Sequence, residues 1–124
     1  MPRVLVDVNL FVSHLLYPRD PDRNTYRLVR AILERRLTHV LVIELFHELE
    51  RAVAASPYLF ERISVNDVQR FRDALIEVSE VVTLFDTPIL AVLRDPKDDY
   101  LLTACWKFSI DMLITGDRDL LDAR

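Results

Sequence analysis

Asp7, Glu48, the adjacent pair Asp98 and Asp99, and Asp117 each follow a short apolar run that reads as a buried strand, or fall in the first turns of the helix after it. In an open α/β sheet the carboxyl ends of the strands are where a site forms. Carboxylates converging there cannot all stay ionised without a cation. Hard oxygen donors, with a single cysteine and no convincing histidine among them, suit Mg2+ or Mn2+ rather than zinc. The chemistry these residue types offer is therefore that of a divalent-metal site.

Taken singly, each acid has an ordinary explanation. Asp7 follows Val4-Leu5-Val6 and precedes a helical pattern, so it can be a helix cap. Glu48 lies at one edge of the apolar stripe Leu45, Phe46, Leu49, Ala52 and Val53, with Glu50 at the other edge and Glu44 further into solvent. Periodicity does not choose between Glu48 and Glu50, and a solvated helix flank accounts for any one of them. In Asp95-Pro96-Lys97-Asp98-Asp99 the acids gather at a helix start, where the helix dipole favours negative charge. Capping accounts for one of them but not for adjacent Asp98 and Asp99. Thr115-Gly116-Asp117-Arg118-Asp119 follows the last apolar run, and Gly116, the only glycine, permits a tight turn there. The alternative is an ordinary turn, with Asp119 capping the short segment that follows. What these separate explanations leave out is the pattern: acids after three strands of one sheet, and on one helix that flanks it.

The elements that must position them are legible from apolar periodicity. Val4–Val6, Val40–Ile43, Val81–Phe85 and Met112–Thr115 are continuous apolar runs, as expected of parallel strands buried on both faces. Between them lie helical patterns: Asn9 to Leu16, a segment capped by Asn24-Thr25 through about Arg36, Glu44 to Ala55 stopped by Ser56-Pro57, Ser64 through about Val78 with Asp67 at the capping-box position, and Asp98 through about Phe108. Pro18, Asp20 and Pro21 mark a loop. This alternation predicts a three-layer α/β/α sandwich around a mainly parallel sheet of four or five strands, joined by right-handed crossovers.

Length bounds the chain to one domain, residues 1–124. A composition 51% hydrophobic and 29% charged suits a soluble globular protein. No apolar stretch approaches a membrane span, and the N-terminus lacks the apolar core of a signal peptide, so a cytoplasmic location is expected. The lone Cys105 excludes an internal disulfide and a multi-cysteine metal site, and reads as a small core residue. The net charge of −4 argues against broad adhesion to nucleic acid, although bound cations would reverse the sign locally.

Several signals carry less. Glu44-Leu45-Phe46-His47 fits the Glu-x-x-His of di-iron bundles but lacks the second copy that such a site needs. His14 and His39 have no partner in the sequence and read as surface or satisfied core residues. One glycine cannot build a phosphate-cradling loop. Asp7-Val8-Asn9 has Asn where a phosphoryl-aspartate phosphatase has its second acid, which leaves an Mg-dependent phosphatase as a distant alternative. A receiver domain would need a lysine after the last strand, where Arg118 stands. Arg23, Arg27 and Arg30 share one helical face with Arg19 nearby, either a solvated face or a contact ridge for RNA or an acidic partner.

With these residues in place, the chain resembles PIN-domain proteins of the VapC type, the toxins of toxin–antitoxin pairs. The resemblance rests on Val4-Leu5-Val6-Asp7-Val8-Asn9, Glu48-Leu49-Glu50-Arg51, Asp95-Pro96-Lys97-Asp98-Asp99-Tyr100-Leu101-Leu102 and Leu113-Ile114-Thr115-Gly116-Asp117-Arg118-Asp119-Leu120-Leu121, and covers nearly the whole chain. It implies that Asp7, Glu48, Asp99 and Asp117 are the catalytic metal ligands, and so selects Glu48 over Glu50. Asn9, Asp98, Thr115 and Asp119 become accessory groups. It further implies one or two Mg2+ or Mn2+ ions, hydrolysis of single-stranded RNA to a 5′-phosphate and a 3′-hydroxyl, a small antitoxin partner and a homodimer. A silent PIN scaffold that binds RNA or protein is the rival expectation. Val8, and Val42-Ile43, stand where the family carries small hydroxyl residues. The resemblance also implies a further short strand after Leu120-Leu121, which this chain would lack.

Overall fold

Continuous β-branched and leucine runs build the sheet. A computed structural model describes residues 1–85, 87–89 and 96–115, the side chains of Pro96, Lys97 and Asp98 excepted. In chain order the elements are β1 (Arg3–Val6), α1 (Val8–Leu16), α2 (Asn24–Leu33), β2 (Thr38–Val42), α3 (Ile43–Ala55), α4 (Pro57–Arg62), α5 (Val65–Val78), β3 (Glu80–Val82), α6 (Pro96–Lys107) and β4 (Met112–Ile114). The described strands form one parallel sheet in the order β3-β2-β1-β4, with Val4 opposite His39 and Met112, and Val40 opposite Glu80. The α/β sandwich expected from the sequence is therefore present. No helix of the described residues is long and apolar enough to cross a membrane.

Because successive strand residues face opposite sides, one strand feeds two cores. Val6 and Leu41 join Phe11, Val29, Ile32, Phe46, Leu49, Phe71 and Leu75 on one face. Their neighbours Leu5 and Val42 join Leu45, Leu84, Leu101 and Ala104 on the other. Helices α1, α2, α3 and α5 thus cover the first face and α6 the second, each buried Leu or Phe contributing about 1.5–3 kcal/mol. Cys105 is half-buried beside the second core, where burial pushes its thiol up to about 11. That is an inert packing residue, as expected.

Local chemistry departs from expectation at several ends. Asn24 and Thr25 do not cap α2; Arg23 occupies the cap position with no side-chain hydrogen bond. The same helix stops at Leu33, short of Arg36, because Arg35 turns left-handed (φ 58°). Its N–H donates to Ile32 O and that of Arg36 to Ala31 O, a Schellman ending made without glycine. Ser56-Pro57 ends α3 but also starts α4: Ser56 Oγ accepts from Leu59 N–H at 3.3 Å, and Pro57 takes the first helical position. Ser64 caps α5 through Asp67 N–H at 3.0 Å, as its spacing predicts. Helix α6 begins at Pro96, two residues before Asp98, and Ile43 belongs to α3 rather than to β2.

Strand β3 ends at Val82 instead of continuing to Phe85. The cause is Glu44, expected to face solvent. Its carboxylate accepts from Thr83 Oγ1 at 2.6 Å and Leu84 N–H at 2.7 Å, pulling that segment out of the ladder and onto α3. Burial pushes the Glu44 pKa up, but these hydrogen bonds outweigh it and hold the carboxyl below its ordinary value.

His39 is a buried core residue, 1% exposed on β2, with Nδ1 2.6 Å from Ser79 Oγ and the Phe11 ring edge-on at 5.8 Å. Burial lowers its pKa from 6.5 to about 4. The unfolded chain takes up this proton near its ordinary pKa, whereas the folded chain refuses it until much lower pH. Stability from the neutral ring is thus complete above the unfolded value and is lost as pH falls from 6.5 towards 4. By about pH 5 the loss is about 2 kcal/mol. Urea unfolding should give a lower midpoint at about pH 5 than at about pH 7, and His39→Gln should flatten that dependence; a full pH dependence retained in the variant contradicts this assignment.

Candidate metal centre

Strand β1 delivers Asp7 to the carboxyl end of the sheet. Its extended backbone (φ −61°, ψ 128°) makes it the N-cap of α1. Its N–H donates to Ile114 O at 2.9 Å, continuing the β1–β4 ladder by one residue. Oδ1 accepts from Asn9 N–H at 3.1 Å, and Oδ2 accepts from the Thr115 hydroxyl at 3.0 Å. The carboxylate is 7% exposed. Each oxygen takes one of these bonds and has a further lone pair to give. The cap and ligand readings are therefore compatible. Asn9 serves through its backbone amide, and its side chain is exposed.

The sheet order explains why this edge can hold a site. The chain winds outward from β1 to β2 to β3, then crosses back to place β4 on the other side of β1. The winding sense reverses between β1 and β4, which leaves a crevice outside their carboxyl ends. Asp7 and Thr115 stand at that reversal.

Asp99 comes from a different element, α6. Phe108 O, just past the end of α6, accepts from the Arg3 guanidinium at 3.2 and 2.9 Å, and Arg3 N–H donates to Asp111 Oδ2 at 2.8 Å. These bonds tie the far end of α6 to the start of β1. From Phe108 back to Asp99 the helix rises about 13 Å; from Arg3 to Asp7 the strand rises about 13 Å. The two rises are equal; Asp99 is 7% exposed, and its carbonyl accepts from the Thr103 hydroxyl at 2.8 Å.

Glu48 lies on α3, half-buried, in a cleft of about 220 Å3 that also takes in Glu44, Leu45, His47, Arg51 and Tyr100. Of the candidate acids the cleft is lined by Glu48, and Tyr100 is the residue after Asp99. Glu50 instead faces Arg72 on α5 at 4.0 Å. Among the described residues, no three acid, histidine or cysteine side chains stand close enough to ligate one ion. Gly116, Asp117 and Asp119 lie outside the described residues, as does the side chain of Asp98. By chemical type the described donors suit a hard cation: Asp7 and Asp99 are both buried carboxylates, and Asp7 is oriented by two hydrogen bonds.

Of the arginine ridge, Arg23 stacks over the Tyr17 ring at 3.6 Å and lies 3.4 Å from Asp20 Oδ2, while Arg30 pairs with Glu34 at 3.3 Å. Arg19 and Arg27 are exposed and form no salt bridge among the described residues. The spacing thus reads as two locally ion-paired side chains, although Arg23 Nε makes no hydrogen bond, and two open ones.

A family model described as the PIN domain matches residues 3–119, a span that includes Asp7, Glu48, Asp99 and Asp117 alike. The chain belongs to the PIN-domain family. PIN domains are a family of metal-dependent nucleases, and the parallel sheet with its 3-2-1-4 order is the fold such a domain requires. No curated protein sequence matches the chain. What the sequence did not single out in this PIN domain is the clamp by Glu44 and the cleft around Arg51 and Tyr100. The available signal for the cleft was adjacency: Arg51 follows Glu48 by three residues, one helical turn along the same face.

The dual role of Asp7 separates by substitution. Asp7→Ala removes the cap and should cost about 1 kcal/mol of metal-free stability, whereas Asp7→Asn caps as well as Asp and should cost little. Urea denaturation in a chelator checks this; equal losses in the two variants would show that the cap contributes nothing.

Proposed function

We propose that this PIN domain is a metal-dependent endoribonuclease acting on single-stranded RNA, and the toxin of a toxin–antitoxin pair. The observation that carries the reading is the buried Asp7 carboxylate, held by Thr115 at the crevice between β1 and β4, in a chain that the family model matches from end to end of its acidic set. In this reading Asp7, Glu48, Asp99 and Asp117 hold Mg2+ or Mn2+. The bound cation supplies Lewis-acid activation of water and neutralises charge at the scissile phosphate. Asp7 keeps its donor orbitals aimed because Asn9 N–H and the Thr115 hydroxyl fix the carboxylate plane. Asp99 is fixed by its depth in α6. Asp98, Asn9 and Asp119 are accessory. Arg19 and Arg27, open on the surface, are available for RNA or for the antitoxin. The partners are a small antitoxin protein and a second copy of the chain.

A labelled single-stranded RNA incubated with the purified protein should be cut in Mn2+ and left whole in chelator. Asp7→Asn and Asp99→Asn should each slow cutting at least about 100-fold, beyond the 10–100-fold cost of losing a group that merely orients a ligand. Cutting that survives both substitutions contradicts the assignment of these acids. Wild-type protein that binds RNA but cuts nothing is instead the silent scaffold. Release of inorganic phosphate from a small ester, with RNA intact, would make it a phosphatase.

A further inference from the structure

The cleft between α3 and α6 has a lining that the metal site does not use. Glu48 belongs to the candidate centre, and Glu44 is already occupied by Thr83 Oγ1 and Leu84 N–H. Leu45 forms its buried base. What remains for a ligand is the Arg51 guanidinium, the exposed His47 ring and the half-buried Tyr100. Arg51 is exposed and forms no salt bridge among the described residues, whereas Arg72, across from the same helix, pairs with Glu50 and Asp73. The Tyr100 ring packs against the Leu5–Leu101 core, so its position is fixed while part of it lines the cleft. A free guanidinium beside a fixed aromatic ring is the pair of contacts that single-stranded nucleic acid takes: a forked grip on phosphate and a stacking face for a base. In a chain of net charge −4, attraction for a polyanion must come from such local groups.

We propose that this cleft is the subsite for the nucleotide next to the scissile phosphate, with Arg51 gripping that nucleotide's phosphate and Tyr100 stacking on its base. The proposal rests on the nuclease reading for its neighbour, Glu48, and adds a residue-level account of substrate binding to it. The two contacts differ in kind and leave different signatures. Loss of the Arg51 charge removes one counterion-releasing contact, so it weakens binding and lowers the salt dependence. Loss of the Tyr100 ring weakens binding and leaves the salt dependence as it was.

The test is fluorescence anisotropy of a fluorescein-labelled single-stranded RNA of about 8 nucleotides, titrated with the purified protein in Ca2+ over a series of salt concentrations. Arg51→Ala should raise Kd about tenfold and reduce the slope of log K against log salt by about 0.7; Arg51→Lys should keep the slope. Tyr100→Leu should raise Kd about tenfold at unchanged slope, and Tyr100→Phe should bind as wild type. Unchanged Kd in both Arg51→Ala and Tyr100→Leu overturns the subsite, and so does a slope change in Tyr100→Leu with none in Arg51→Ala. Cleavage in Mn2+ is scored in parallel. RNA cut by wild type with no dependence on Arg51 or Tyr100 leaves the nuclease and removes the subsite. Binding that depends on both residues without any cutting leaves an RNA-binding cleft and removes the nuclease.

Discussion

The β1–β4 pairing is the constraint on which the rest of the molecule depends. It continues one residue past β1, through Asp7 N–H to Ile114 O, and in doing so it places Thr115 where its hydroxyl reaches Asp7. A carboxylate so nearly excluded from water is costly unless its oxygens are satisfied. Asp7 takes one bond from its own helix and one from the neighbouring strand, and it keeps lone pairs for a cation. Remove the reversal in strand order and neither the crevice nor the second bond exists. The crevice thus follows from a topological fact: β4 returns to the free side of β1 after the sheet has grown the other way.

Both faces of the sheet must be packed for that edge to hold its shape. Val6 and Leu5, adjacent in sequence, enter different cores, so β1 is clamped between α1, α2, α3 and α5 on one side and α6 on the other. Arg3 then sets the axial position of α6, through Phe108 O and Asp111, and closes the far end of the sheet with Glu80. That anchor bears on the site although it lies at the opposite edge, because α6 carries both Asp99 and Tyr100, and Tyr100 lines the α3 cleft beside Glu48.

Much of this was readable in the residues, and the misses have physical causes. The buried strands announced themselves as continuous apolar runs, and the Ser64 cap followed from its spacing to Asp67, because both are local rules that nothing overrides here. Ser56-Pro57 read as a stop because the pair is equally good at starting a helix; only the packing of Leu59 and Ile63 on the first core decides that α4 forms. The end of α2 was misplaced because the usual glycine is absent and Arg35 adopts the left-handed turn instead (φ 58°), whereas the end of α6 lies within a residue of expectation. Glu44 looked solvated on its helix because periodicity sees one element, whereas its partners Thr83 and Leu84 lie some forty residues away. At the site, Asp7 was legible from its place after a strand. The choice of Glu48 over Glu50 came from resemblance, and Glu50 proves to face Arg72. The burial of Asp99 is a tertiary property that no local pattern encodes. Asp117 and Asp119 lie outside the described residues, so their part in the centre rests on the sequence.

The central claim is that Asp7 and Asp99 are two ligands of one divalent-metal centre. Mn2+ titration followed by electron paramagnetic resonance tests it without reference to any substrate, since the ion's signal changes on leaving the aquo state. The wild-type protein should remove free Mn2+ from solution, and Asp7→Asn and Asp99→Asn should each lose that capacity while remaining folded. Mn2+ binding of wild-type strength in both variants would contradict the claim.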